Sequence, residues 1–192
     1  QRTTGTGAAI GAAAGAVIGG ITGGSRGIGT GAAIGAAVGA GGGYLWSQRM
    51  EEQKATMEKA TQGTGVNVTQ TVDNQLKLEI PSDVSFDVGQ SAIKSNFANV
   101  LTNFATSLTQ NPITTVAIIG HTDNTGSDAI NNPLSVDRAN AARDYLVGRG
   151  VAAQRIATDV RGSREPVADN SSAQGRAKNR RVEIYVAEPA AR

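Results

Sequence analysis

The sequence predicts an α+β domain, helices layered on one sheet, standing behind a glycine-zipper helical hairpin. Three observations carry this reading. Sixteen of the 25 glycines fall in the first 43 residues, where Arg2 and Arg26 are the only charges. From Arg49 onward the composition is that of an ordinary soluble protein, in which stretches of strand period alternate with stretches of helical period. The length, 192 residues, suits one domain of common size plus an appendage.

The hairpin comes first. The octapeptide TGAAIGAA beginning at Thr6 recurs unchanged from Thr30, and glycine occupies every fourth position from Gly7 to Gly43. In water each such glycine would cost a helix about 1 kcal/mol relative to alanine. In a bilayer the same ridge lets a second backbone approach closely, and lipid favours the internally bonded helix. The uncharged stretches 5–25 and 27–48 hold 21 and 22 residues, near the roughly 20 a membrane span requires. Between them Thr22-Gly-Gly-Ser-Arg-Gly27 reads as a turn, and Tyr44-Leu-Trp46 before Arg49 reads as an interfacial anchor with a charged stop. A flexible Gly/Ala linker is the alternative. A linker, however, does not keep a strict four-residue register with Ile10, Val17, Ile18, Ile21, Ile34 and Val38 set into it. Residues 1–48 are therefore expected to associate with a membrane and with other hairpins, favouring a homo-oligomer or a larger complex.

Residues 47–60 are charged and helix-forming, and they are expected to continue the second helix into water as a stalk, with Met50 and Met57 as its packing stripe. Thr61-Gln-Gly-Thr-Gly65 breaks that helix, so the boundaries drawn are 1–48, a stalk and linker at 49–65, and a soluble module at 66–192.

Within the module, 66–72 and 75–80 alternate around Asp73-Asn74 and predict a β-hairpin. Residues 84–87 read as a short strand or loop. Ile93, Phe97, Val100, Leu101, Phe104 and Leu108 have helical spacing and stop near Asn111-Pro112. The apolar run 115–120 predicts a central buried strand. Residues 134–148 predict a second helix, capped by Ser135 or a neighbour, with Ala139, Ala142, Leu146 and Val147 inward. Residues 155–161 and 181–186 read as the last strands. This order of elements also admits an α/β arrangement.

Composition excludes several chemistries. The formal charge is +2, and residues 66–192 carry 13 bases and 13 acids, which argues against a nucleic-acid partner. Without cysteine there are no disulfides, thiolate zinc sites or thiol nucleophiles, and the single His121 excludes sites built on several imidazoles. No cofactor or metal is expected.

The densest polar constellation follows the central strand. Asp123 lies on that loop and Arg138 is expected within the first turn or so of the next helix, which places a carboxylate and a guanidinium at the two ends of one loop. Such a pair suits a zwitterion, Asp123 holding an ammonium and Arg138 a carboxylate. It equally suits a salt bridge between the two residues that closes the loop. His121 reads as a packing and hydrogen-bonding residue, and Asp128 and Asp137 as solvated helix-cap and surface charges. Arg176, Lys178, Arg180 and Arg181 combine pocket chemistry with protection of a sheet edge.

Gly120-x-Thr-Asp123-x-x-Gly126, Asn131, Leu134-Ser135, Arg138-Ala139, Gly162, Pro166 and Asn179-Arg-Arg-Val-Glu183 together resemble the OmpA-like peptidoglycan-binding domain over residues 66–186. The resemblance implies a β/α/β/α/β sandwich with helices on a mixed sheet. It also implies that Asp123 and Arg138 hold the meso-diaminopimelate of the cell-wall stem peptide. On the same ground Phe86 and Asp87 line the pocket, Thr122, Gly126, Asn131 and Leu134 shape it, and Arg180 adds a contact. With its hairpin the chain is similar to the YiaD-type glycine-zipper outer-membrane lipoproteins of Gram-negative bacteria. Those begin at a lipidated cysteine, whereas this sequence starts at Gln1 without a signal peptide and reads as a mature form. The function implied is a non-catalytic anchor between outer membrane and wall, with its soluble domain in the periplasm. An enzyme is disfavoured because Asp123 lacks an evident carboxylate partner and Ser135 a histidine. A proton-driven stator would need an ionisable group within a span, and 5–25 and 27–48 offer none.

Overall fold

The computed structural model describes residues 44–71, 74–87, 89–163 and 166–189. The expected hairpin lies outside them, apart from its last five residues. No described helix is long and apolar enough to cross a membrane.

Helix α1 (Gln48–Ala60) does not continue from an upstream helix. Ser47 is extended (φ −78°, ψ 170°) and its hydroxyl accepts the Met50 N–H, so the helix is capped where the sequence suggests continuity. Just before the cap, the Leu45 N–H donates to the Glu188 carbonyl at 2.9 Å, tying the entering chain to the last strand's exit. Nor is α1 a free stalk. Met50 and Met57 are fully buried in the domain core, and α1 packs on the next long helix and the first strand. Tyr44 is buried and Trp46 lies against the core, its indole N–H on Glu51, so both aromatics serve this domain.

Strands β1 (Asn67–Gln70) and β2 (Leu76–Pro81) form the expected antiparallel hairpin. The segment read as strand or loop is a single helical turn, α2 (Ser82–Ser85), followed by an isolated bridge between Phe86 and Ile93. Then come α3 (Ser95–Gln110), β3 (Thr115–His121), α4 (Asp128–Gly148), a 3-10 turn (Ala153–Arg155), β4 (Ile156–Gly162), α5 (Ala173–Asn179) and β5 (Arg181–Ala187).

The sheet order is β1-β2-β5-β3-β4, with β3 and β4 parallel and every other pair antiparallel. It is a mixed sheet with helices packed on it, as the α+β class requires. Register builds the core in rows: Leu76, Val186 and Val116 lie abreast, then Leu78, Ile184 and Ile118. Phe97, Leu101, Phe104 and Leu108 of α3 and Ala139, Ala142 and Leu146 of α4 close over them. The third row, Ile80, Val182 and Gly120, ends on a glycine for a steric reason. A Cβ at Gly120 would lie 2.8 Å from the Ser135 carbonyl oxygen of α4, closer than side-chain carbons approach.

Two expectations for α4 are corrected here. The helix begins at Asp128 with Ser127 in the cap position, and Ser135 is a buried interior residue rather than a cap. Pro133 is accommodated near the helix start. Val147 faces outward at 38% exposure, one residue beyond the buried Leu146.

Candidate functional site

The C-terminal end of β3 delivers His121, Thr122 and Asp123 in succession. Asp123 is only 5% exposed. Its Oδ1 accepts the Thr125 N–H at 2.8 Å, a local turn that fixes the carboxylate. Its Oδ2 accepts Arg180 Nη1 at 2.6 Å. Burial alone would raise the Asp123 pKa, but the Thr125 and Arg180 donors outweigh it and hold the group below the usual carboxylate range. Asp123 is therefore a standing anion.

Arg138 enters from the third turn of α4, not the first, because the helix starts earlier than the sequence suggests. Its side chain does not pair with Asp123. Nε donates to the Gln90 carbonyl at 2.9 Å, Nη2 donates to the Asp87 carbonyl at 3.2 Å, and the guanidinium lies 5.1 Å from the Phe86 ring centroid. The loop-closing salt bridge is thus ruled out as the resting arrangement. Arg138 is 9% exposed, and among the described residues it has no carboxylate within salt-bridge distance. Burial and the nearby Arg180 lower its pKa while Asp83 opposes them, but a guanidinium stays charged regardless.

Arg180, the C-cap of α5, is shared between two acids. Besides Asp123 it reaches Asp83 of α2 through Nη2 at 3.4 Å. Asp83 was not among the sequence candidates. Its place depends on β2 lying beside β5: Pro81 pairs with Arg181, and one step further the Ser82 N–H donates to the Arg180 carbonyl at 2.8 Å.

The remaining candidates divide into supports and rim. Phe86 is buried, packs edge-on against Phe97 with centroids 5.6 Å apart, and props Arg138 from beneath. Asp87 contributes its backbone carbonyl; its carboxylate is 74% exposed and faces Lys94 at 3.6 Å. The buried Thr122 hydroxyl oxygen has no hydrogen-bond partner among the described residues. Gly126 turns with φ +80°, and Asn131 Nδ2 donates to the Thr125 carbonyl at 2.6 Å, which pins the loop to the first turn of α4. Leu134 is half-buried one turn before Arg138. Gln90, also absent from the sequence candidates, contributes a main-chain oxygen that no side-chain pattern reveals.

His121 belongs to a different group. Its Nε2 lies 3.4 Å from Glu183, whose carboxylate also takes Arg181 Nε and the Tyr185 hydroxyl. Arg181 is therefore committed inside the sheet, and of the basic cluster only Arg180 reaches the site. Among the described residues no group of three His, Cys, Asp or Glu side chains is arranged to hold a metal.

The chain is 43% identical over 135 residues to "Probable lipoprotein YiaD" of Escherichia coli, covering 70% of this chain and 61% of that protein. It is 51% identical over 98 residues to "Peptidoglycan-binding protein ArfA" of Mycobacterium tuberculosis, covering 51% of this chain and 30% of that one. The chain thus spans less than two thirds of these relatives. A solved structure, "The structure of the cell wall anchor of the T6SS from Pseudomonas aeruginosa", superposes with a TM-score of 0.62 at 30% identity, covering 71% of this chain and 96% of that one. A glycine-zipper family profile matches residues 6–54. The OmpA family profile matches residues 85–180, from α2 to Arg180, and the chain belongs to the OmpA family.

Proposed function

We propose that this protein is a non-catalytic anchor that binds peptidoglycan, gripping the diaminopimelate of its stem peptide between Asp123 and Arg138. The observation that carries this is Arg138: a buried guanidinium that, among the described residues, has no carboxylate within salt-bridge distance and is held by carbonyls and a ring. A buried cation so placed has donors left for an incoming carboxylate, and a fork of donors suits a carboxylate better than a point charge would. Asp123 supplies the fixed anion for the ammonium of the same amino acid head. Its depressed pKa suits an acceptor and not a general acid, which needs a raised one. The ArfA and T6SS relatives, whose names refer to peptidoglycan binding and cell-wall anchoring, support the same reading. The YiaD relative, named a probable lipoprotein, supports a lipid-anchored protein; we infer that the anchor lies in the outer membrane with the OmpA-type domain in the periplasm.

The test is pull-down on isolated sacculi with Asp123→Ala and Arg138→Ala. Each is expected to lose binding while keeping a folded domain, and unchanged pull-down in both would overturn the site.

The glycine-zipper match favours a second, compatible role in which residues 1–48 assemble several copies at the membrane as part of a larger envelope machine, with the OmpA domain as wall anchor. Crosslinking through cysteines introduced between residues 7 and 43 is expected to trap oligomers. A ladder that stops at monomer would count against it.

A further inference from the structure

We propose that Asp83 is a positioning residue for ligand capture: it is the alternative dock that takes Arg180 when an ammonium group displaces it from Asp123. The inference rests on the reading of Asp123 as the ammonium acceptor and adds a residue and a step to it.

In the resting arrangement the Asp123 carboxylate is already engaged. Thr125 N–H holds one oxygen and Arg180 Nη1 the other, at 2.8 and 2.6 Å. An ammonium arriving at Oδ2 meets a like charge there and must move it. Arg180 is the mobile partner, because its side chain is 35% exposed while that of Asp123 is 8% exposed. A displaced guanidinium would turn back on Arg138, which already feels the Arg180 charge. Asp83 offers another course. Its Oδ2 stands 3.4 Å from Arg180 Nη2, so a small rotation of the fork completes that pair as the first one opens.

The backbone sets this geometry. The β2–β5 ladder runs to the Pro81–Arg181 pair, and the Ser82 N–H bond to the Arg180 carbonyl extends it by one step. Ser82 therefore starts α2 opposite Arg180, and Asp83 is the next residue. Three residues later Phe86 lies under Arg138, and Asp87 and Gln90 hold that guanidinium with their carbonyls. One segment, 82–90, thus governs both cations: it fixes Arg138 rigidly and gives Arg180 a second place to rest. A structural account of Asp83, as an acid at the start of a helical turn, predicts no dependence on Arg180.

The test is a double-mutant cycle in the full chain: wild type, Asp83→Asn, Arg180→Gln and the double variant, titrated calorimetrically with meso-diaminopimelate. Asp83→Asn is expected to weaken binding about five- to tenfold when Arg180 is present, in the range of ordinary coupling energies, and to leave it unchanged in the Arg180→Gln background. Asp83→Glu is expected to retain most of the wild-type affinity. In parallel, the Asp123 carboxyl is titrated by carbon NMR without ligand. Asp83→Asn should lower its midpoint more with Arg180 present than without, because Arg180 then serves Asp123 alone. Equal effects of Asp83→Asn in both backgrounds would overturn the proposal. If the wild type itself binds no diaminopimelate, the ligand reading fails, and the Asp123 titration still decides whether the two acids share Arg180.

Discussion

Arg180 donates to Asp123 across 2.6 Å, so the acid that follows β3 is held by the residue that precedes β5 and not by the arginine of the intervening helix. Sequence spacing points to Asp123 and Arg138 as one unit. The structure separates their tasks: Asp123 is kept ionised by a neighbour, and Arg138 is kept in place by carbonyls and an aromatic face. On the proposed reading, a site so divided has both charges oriented before any ligand arrives, which would lower the ordering cost of binding.

Arg138→Lys tests how much the fork matters. A lysine carries the charge but cannot reach the Asp87 and Gln90 carbonyls while presenting a planar donor pair. Affinity for diaminopimelate is expected to fall at least about tenfold, and stability by roughly 1–2 kcal/mol as carbonyl bonds are lost. Calorimetric titration and urea unfolding read the two effects separately. A lysine variant that binds like wild type would show that charge alone suffices.

Acid stability should depend on Glu183. Burial would raise its pKa, but His121, Arg181 and Lys77 outweigh burial and hold the carboxylate far below its ordinary value of 4.5. The unfolded chain therefore takes up this proton at a higher pH than the folded one. The resulting stabilisation is full above about pH 5.5 and drains away as pH falls through 4.5 toward the folded value. Asp123, also depressed, adds to the same slope. Glu183→Gln is expected to cost about 3–5 kcal/mol at pH 7, because it removes the charged partner from a buried ion pair with Arg181, and to flatten the decline between pH 5 and 3. Unfolding free energies across that range check both parts. An unchanged slope in the variant would place the acid sensitivity elsewhere.

Met57→Ala distinguishes a stalk from a domain element. Met57 is fully buried in the main core, where α1 lies on α3 and β1. Truncation there is expected to cost about 2–4 kcal/mol, seen as a lower urea midpoint for the whole domain. Were α1 a detached stalk, the midpoint would not move.

The parts of this fold that repeat with a fixed period are plain in the sequence. Leu76, Leu78 and Ile80 declare one face of β2, and Phe97, Leu101, Phe104 and Leu108 declare one face of α3. What the sequence conceals is either local chemistry that imitates a break or contact between distant segments. The expected helix starts only at residue 134, after Asn131-Asn132-Pro133, yet α4 runs through that tripeptide. Helix α5 has no apolar period; Ser172 caps its start, and Asn179 at its end bonds Val167, Ala168 and Asn170. Asp123 is legible because it follows a buried strand. Arg180 is named as a contact by the resemblance, but its pairing with Asp123 is not legible, because their meeting depends on β5 inserting between β2 and β3.

Gly120→Ala links that packing to the site. A Cβ there would sit 2.8 Å from the Ser135 carbonyl oxygen and 3.2 Å from its Cβ, and a helix backbone cannot yield as a side-chain tip does. Helix α4 must move off β3, at an expected cost of about 1–3 kcal/mol. Ser135 stands one turn before Arg138, so the same displacement draws the guanidinium away from Phe86 and the carbonyls of residues 87 and 90. Affinity should therefore fall several-fold along with stability. Gly148→Ala, at the far end of the same helix with nothing within 4 Å of the added carbon, is the control and should leave binding intact. Urea unfolding and diaminopimelate titration on both variants give the answer. If Gly120→Ala lost stability but kept full affinity, Arg138 would be held by the 82–90 segment alone, and the approach of α4 to β3 would not set the site.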